Sequence, residues 1–221
     1  HETLVSPRGP LFGRTTADLL VDEVDLPAMQ RFLPRYSAEQ LVETYSVVGG
    51  VPKYLEMWDG QRPVLWNVEQ QILSPVTIFR TEPMFLIQDE LAEPRTYLAI
   101  LEAIGTGATR PTVIAERCGL ALGHVGKYLH TLQTLGFVRR LVSVDAQGRT
   151  DTRQGRYEIR DPYLHFHFRF LHPNLQLIEQ RRTARLMQVI RAGFDAHVGK
   201  TGYEELCRRH VAWLADERRL P

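Results

Sequence analysis

Five apolar residues, Leu122, Val125, Leu129, Leu132 and Leu135, recur at intervals of three and four within LGHVGKYLHTLQTLG. That spacing lays them along one face of an α-helix, which must be buried against something else. Gly136 ends the run, and FVRRLVSV follows it. Its apolar residues alternate as in a half-buried strand, and GRYEIRD at 155–161 is the matching second strand. Between them DAQGRTDTRQG is polar, charged and glycine-containing, the composition of an exposed hairpin loop. Upstream, a helix at about 96–105 gathers Tyr97, Ile100, Leu101 and Ile104 on one face, and RPTVIAERC gives a shorter helix ending at Gly119. Three helices followed by a two-stranded wing is the order of a winged helix-turn-helix.

The remaining chain also reads as helical. DLLVDEV at 18–24 is a strand or edge segment after an extended lead broken by Pro7, Gly9 and Pro10. LPAMQRFLPRY then gives a short helix interrupted at Pro34. In SAEQLVETYSVVGG, Ser37 with Gln40 forms a capping box, and Gly49-Gly50 stops the helix. Pro52 opens another, residues 64–80 read as one more, and PMFLIQDEL begins a further helix after Pro83. A boundary is expected near 85–95. The fold class expected is mainly α, a helical bundle followed by a winged helix-turn-helix with a small β wing.

Charge sharpens the functional question. The net charge is only +1, but residues 1–104 hold 8 Lys and Arg against 15 Asp and Glu, whereas 105–160 hold 9 against 4. An acidic first part repels a phosphate backbone and a basic middle attracts one. With the leucines inward, the other face of the long helix carries His124, Lys127, Tyr128 and Thr131, side chains able to reach base edges and phosphates in a major groove. Arg139, Arg140, Arg149, Arg153 and Arg156 surround the wing. Double-stranded DNA is one partner this arrangement suits. The competing reading takes the same residues as ordinary solvated charges on a protein-interaction scaffold. The absence of a Ser, Thr, Asp or Asn cap before the long helix favours that alternative.

Three runs of sequence carry a resemblance to a known family. GPLFGR at 9–14, YSVVGGVPKYL at 45–55 and GRYEIRDPYLHFHFRFLHPN at 155–174 are similar to motifs of the archaeal-type P-loop ATPases, relatives of the STAND and AAA+ groups. The resemblance implies the region after a nucleotide-binding core. Residues 1–25 would be the tail of that core, 26–90 a helical lid-like domain, 91–175 the winged helix, and 176–221 helices leading into an absent nuclease-like domain. It further implies that Gly50 and Pro52 form a lid element near a nucleotide and that Arg14 faces phosphates or anchors the lid. Each is equally explained by turn chemistry or, for Arg14, by a salt bridge. No G-x-x-x-x-G-K-[ST] occurs, so the chain itself is expected to hold no cofactor. ATP and magnesium are implied only for a longer parent protein, whose missing nucleotide-binding domain would be a partner. The family's usual Trp is replaced here by His167.

Other constellations lead to no active site. His165, His167 and His172 have no Cys or Asp companions with metal-ligand spacing. The aromatic run Tyr163, Phe166, Phe168 and Phe170 suits a core better than a base-stacking platform, and Glu204 is a lone carboxylate. Cys118 reads as a small buried hydrophobe. With no secretory signal, no membrane-length apolar run and only two cysteines, a cytoplasmic location away from membranes is expected.

Overall fold

The computed structural model describes residues 23–91, 94–144 and 150–217. The expected strand at 18–24 lies almost entirely outside them, as do Arg14 and residues 145–149 of the expected wing loop; residues 150–155 of that loop are strand instead. The chain is mainly α-helical with a two-stranded antiparallel wing, as its periodicities require.

Helices α1 (Leu26–Phe32), α2 (Ala38–Val48), α3 (Pro52–Glu56) and α4 (Val64–Asn67) come first. The carboxylate of Asp25 accepts from Ala28 N and caps α1. At α2 the reciprocal capping box of Ser37 and Gln40 is formed, satisfying two otherwise unpaired donors. The helix stops at Gly49, whose φ of 64° is cheap only for glycine.

Residues 64–80 do not make the single helix that periodicity suggests. After α4 the chain takes a π-helical turn, Val68–Ile72, and breaks around Pro75 before α5 (Ile78–Glu90). Nor does Pro83 start a helix; it lies inside α5. A proline there removes the N–H that would bond the carbonyl four residues back, on Phe79. The Tyr163 hydroxyl donates to that carbonyl instead, so the missing partner is supplied from a distant part of the chain.

The winged unit follows as α6 (Pro94–Gly105), α7 (Pro111–Cys118), α8 (Leu122–Thr134), β1 (Val138–Val144) and β2 (Thr150–Ile159). Gly119 and Gly136, at φ of 63° and 79°, end α7 and turn the chain out of α8. The strands pair with Val138 opposite Ile159, Arg139 opposite Glu158 and Arg140 opposite Tyr157, with an irregularity between Leu141 and Ser143. Beyond them α9 (Pro162–Phe166) runs into a π-helical turn at His167–Leu171, followed by α10 (Leu175–Glu179) and α11 (Thr183–His197). A third π-helical turn, Val198–Tyr203, leads into α12 (Glu204–Asp216).

Two hydrophobic cores result. One joins α1–α4 to α9 and α11 around Met29, Tyr45, Val68 and Phe79. The other lies within the winged unit around Ile100, Leu101, Val125, Leu129 and Leu132. The segment 162–171 serves both, giving Tyr163, Phe166 and Phe170 to the first and Leu164 and Phe168 to the second. Gly105 lets it approach, since a Cβ there would stand 2.8 Å from the Cβ of Phe168. Cys118 is only half-buried at the edge of the second core, and Cys207 is exposed.

Candidate nucleic-acid interface

The geometry of α8 follows from which of its residues are swallowed by the second core. Val125, Leu129 and Leu132 are buried and Leu135 is half-buried, which turns His124, Lys127 and His130 to solvent. Leu122, expected on the inward stripe, starts the helix and is 52% exposed. Tyr128 sits at the border, half-buried, with its ring edge-to-face against Tyr97 at 5.0 Å. Thr131 is also half-buried, and its hydroxyl donates to the Lys127 carbonyl at 3.2 Å. His124 and Lys127 therefore stand on the open face, whereas Tyr128 and Thr131 flank it. His130 was overlooked in the sequence, although it lies one helical turn beyond Lys127 and outside the leucine stripe. No side chain caps the helix at Ala121. Gly123 and Gly126 have no neighbour within 4 Å of where a Cβ would stand, so the helix backbone is open along this face.

The two adjacent arginines of β1 part company. Successive side chains of a strand point to opposite faces. Arg139 turns toward α12, where its Nε meets Glu158 and an Nη meets Glu205, each at 2.5 Å. Arg208 adds bonds to Glu158 at 3.1 Å and Glu205 at 3.0 Å, while Arg209 meets Glu205 at 2.9 Å and Glu23 at 3.6 Å. Burial alone would raise the Glu205 pKa, but the hydrogen bonds from Arg139 and Arg209 hold it below the usual carboxylate range. The charge of Arg139 is thus committed within the fold, a different place from the phosphate-facing one expected of it. Arg140 takes the opposite face, exposed, with its guanidinium 6.0 Å from the Tyr157 ring centre. Gly155 makes room for it, since a Cβ at that position would stand 2.2 Å from the Arg140 Nε. Arg156 is exposed on β2. Arg153 lies within β2 by its backbone, its side chain lies outside the described set, and Arg149 lies outside the described residues.

Gly50 and Pro52 have their own work in the fold. Val24 N donates to the Gly50 carbonyl at 2.9 Å, and a Cβ on Gly50 would come within 2.2 Å of the Val24 carbonyl oxygen. Only glycine tolerates that approach. Pro52 occupies the first turn of α3, where its lack of an N–H costs nothing.

Among the described residues no group of three or more His, Cys, Asp or Glu is placed to hold a metal ion. His165 and His197 are buried and share the Thr201 hydroxyl, at 2.7 Å and 3.4 Å, while a ring nitrogen of His197 lies 2.8 Å from the Ser46 carbonyl. His172 instead meets Glu102. Among the described residues no helix is long and apolar enough to cross a membrane.

These features define a winged helix-turn-helix with an open second helix. Residues 97–141 match the IclR helix-turn-helix domain. Over its whole length the chain is 29% identical to an uncharacterized protein of Methanocaldococcus jannaschii, and it spans about half of that relative, 48%. No solved structure matches. The match at 97–141 corrects the resemblance drawn from the three sequence runs: it identifies a helix-turn-helix of the kind named for IclR regulators, not the lid region of a P-loop ATPase. The nucleotide-binding, ATP-binding and AAA+ expectations attached to that resemblance fall with it. The short runs misled because glycine-proline turns and an aromatic helix satisfy generic packing needs, as Gly50 and the 162–171 segment show.

Proposed function

We propose that the chain binds double-stranded DNA through its winged unit, with α8 in the major groove and the wing along the neighbouring backbone. The observation that carries this reading is the division of α8. Val125, Leu129 and Leu132 are taken into the core while His124, Lys127 and His130 stand open on the other side. A helix presented in this way fits the groove width, and side chains of this type can bond base edges and phosphates. The likeness of 97–141 to a helix-turn-helix domain supports the same reading.

His124 and Lys127 are assigned to the groove, Lys127 also pairing with a phosphate at its edge, with Tyr128 and Thr131 at the margin and His130 beside them. Arg140 is assigned to a phosphate, and Arg149 and Arg153 join it on sequence grounds. Arg139 is left to the ion network. A cytoplasmic location belongs to this proposal, because the module must share a compartment with DNA.

Fluorescence anisotropy on short duplexes tests it. Lys127→Glu and Arg140→Glu should each weaken binding about tenfold or more, because each replaces a charge-assisted contact by repulsion. Equal affinity of both variants and the parent chain would overturn the assignment.

A further inference from the structure

A cavity of about 450 Å³ opens away from the winged unit, between the start of α5, helix α10 and the start of α11. Its size is that of an ordinary small-molecule site. The floor is apolar: Leu186 is buried in the first core, and Leu73, Leu177 and Ile178 pack against that core from its edge. Leucine and isoleucine lining a concave surface favour an apolar body over water.

The rim has the opposite chemistry. Arg80 and Arg181 both line the cavity, both are exposed, and neither makes an ion pair among the described residues. Glu179 lines it too, yet it is paired with neither arginine. Arg181 lines the cavity from a left-handed backbone, φ 55°, the one non-glycine residue with positive φ among those described. Thr183, also on the rim, opens α11, a helix of 15 residues with no side-chain cap and no acidic residue in its first turn. Among the described residues no side chain caps the first-turn amides at the positive end of the helix dipole. Two arginines with no ion pair among the described residues and an uncapped helix end line one cavity over an apolar floor.

We infer that this cavity binds a small amphiphilic monocarboxylate, its acid group held by Arg80, Arg181 and the start of α11, its apolar body on Leu177, Ile178 and Leu186. A carboxylate accepts two parallel bonds from a guanidinium, which a neutral hydroxyl does not. A doubly charged head would face repulsion from Glu179, and a molecule without an apolar part would leave the floor wet. Nothing in this reading depends on DNA binding.

The probes are 4-phenylbutyrate and its neutral counterpart 4-phenylbutan-1-ol, titrated into the full chain by calorimetry with amide shifts followed by NMR. The acid binds saturably, at least about tenfold more tightly than the alcohol, because a charge-assisted hydrogen bond commonly contributes that factor. Its shifts centre on Ile178, Thr183 and Leu186. The double variant Arg80→Gln, Arg181→Gln loses about tenfold or more. Arg181→Gly relieves the left-handed backbone, so it melts no lower than the parent chain and still binds the acid more weakly, separating binding from folding. Equal affinity for acid and alcohol, no saturation at millimolar acid, or unchanged affinity in the double variant overturns the inference.

Discussion

At the scale of single residues, burial decides which polar groups are costly. His167 is 4% exposed and neither of its ring nitrogens has a hydrogen-bond partner. Rings surround it: Tyr163 at 6.2 Å, Phe168 at 5.1 Å and His172 at 6.0 Å between centres. An unpaired buried nitrogen costs about 1–3 kcal/mol. His167→Phe should therefore raise the unfolding free energy by about 1–2 kcal/mol in urea titration, and a loss of stability would contradict this account of the site. Arg139 is the converse case, a charge held by Glu158 and Glu205. Among the described residues, removing it leaves Glu158 to Arg208 alone and Glu205 to Arg208 and Arg209. Arg139→Ala should destabilise by about 2 kcal/mol while changing DNA affinity less than Arg140→Ala does. The sequence carried part of this distinction, because neighbours in a strand must face opposite ways. Which of the two arginines faces inward depended on Glu205, 66 residues away, and no local pattern reveals that.

At the scale of elements, the winged unit was the most legible part of the chain. The leucine stripe, the Gly119 turn and the two alternating strands each follow from local periodicity and turn chemistry, and α6, α7, α8, β1 and β2 form where those signals lie. Residues 64–90 were the least legible. There one helix was expected over 64–80 and a new one after Pro83, yet the chain breaks around Pro75 and the next helix runs through Pro83. The difference lies in a tertiary bond, from the Tyr163 hydroxyl to the Phe79 carbonyl. Tyr163→Phe should expose the cost of Pro83: a loss of about 1–2 kcal/mol, with hydrogen exchange accelerated first at the amides around Phe79. Uniform acceleration across the whole chain would argue against a local role for that bond. On α8 itself, the open face at His124 and Lys127 was readable from the stripe, while the half-buried setting of Tyr128 depended on Tyr97 in a different helix.

At the scale of the whole molecule, the two cores are riveted by 162–171, and His165 and His167 of that segment, with His197 and Asp161 beside it, make the fold sensitive to acid. Burial pushes His197 down to about 4 and His167 to about 3, and holds His165 well below the usual histidine range. A histidine kept neutral in the fold contributes its full stability above the unfolded pKa of about 6.5 and loses it as pH falls toward the folded value. Asp161, raised to about 6 by burial, acts in the opposite direction and offsets one proton. A net uptake of about two protons on unfolding gives a loss of about 3 kcal/mol per pH unit between pH 6 and 5. Urea midpoints should thus be flat from pH 8 to 7 and fall steeply below 6; a midpoint unchanged at pH 5 would contradict the buried, neutral state of these rings. Because Leu164 and Phe168 sit in the core of the winged unit, acid should also abolish any binding by α8 as the fold opens.

The central claim is that the open face of α8 and the wing meet the phosphates of duplex DNA. The most direct measurement is the slope of log affinity against log salt between 50 and 200 mM for the parent chain and for Lys127→Ala. Contacts from Lys127, Arg140, Arg149 and Arg153 predict a slope of about −3 to −4, roughly a hundredfold loss over that fourfold change in salt. The Lys127→Ala slope should be shallower by about 0.9, the share of one phosphate-associated cation. Binding that is absent at 50 mM salt, or a slope identical in the two proteins, would contradict the placement of α8 on DNA.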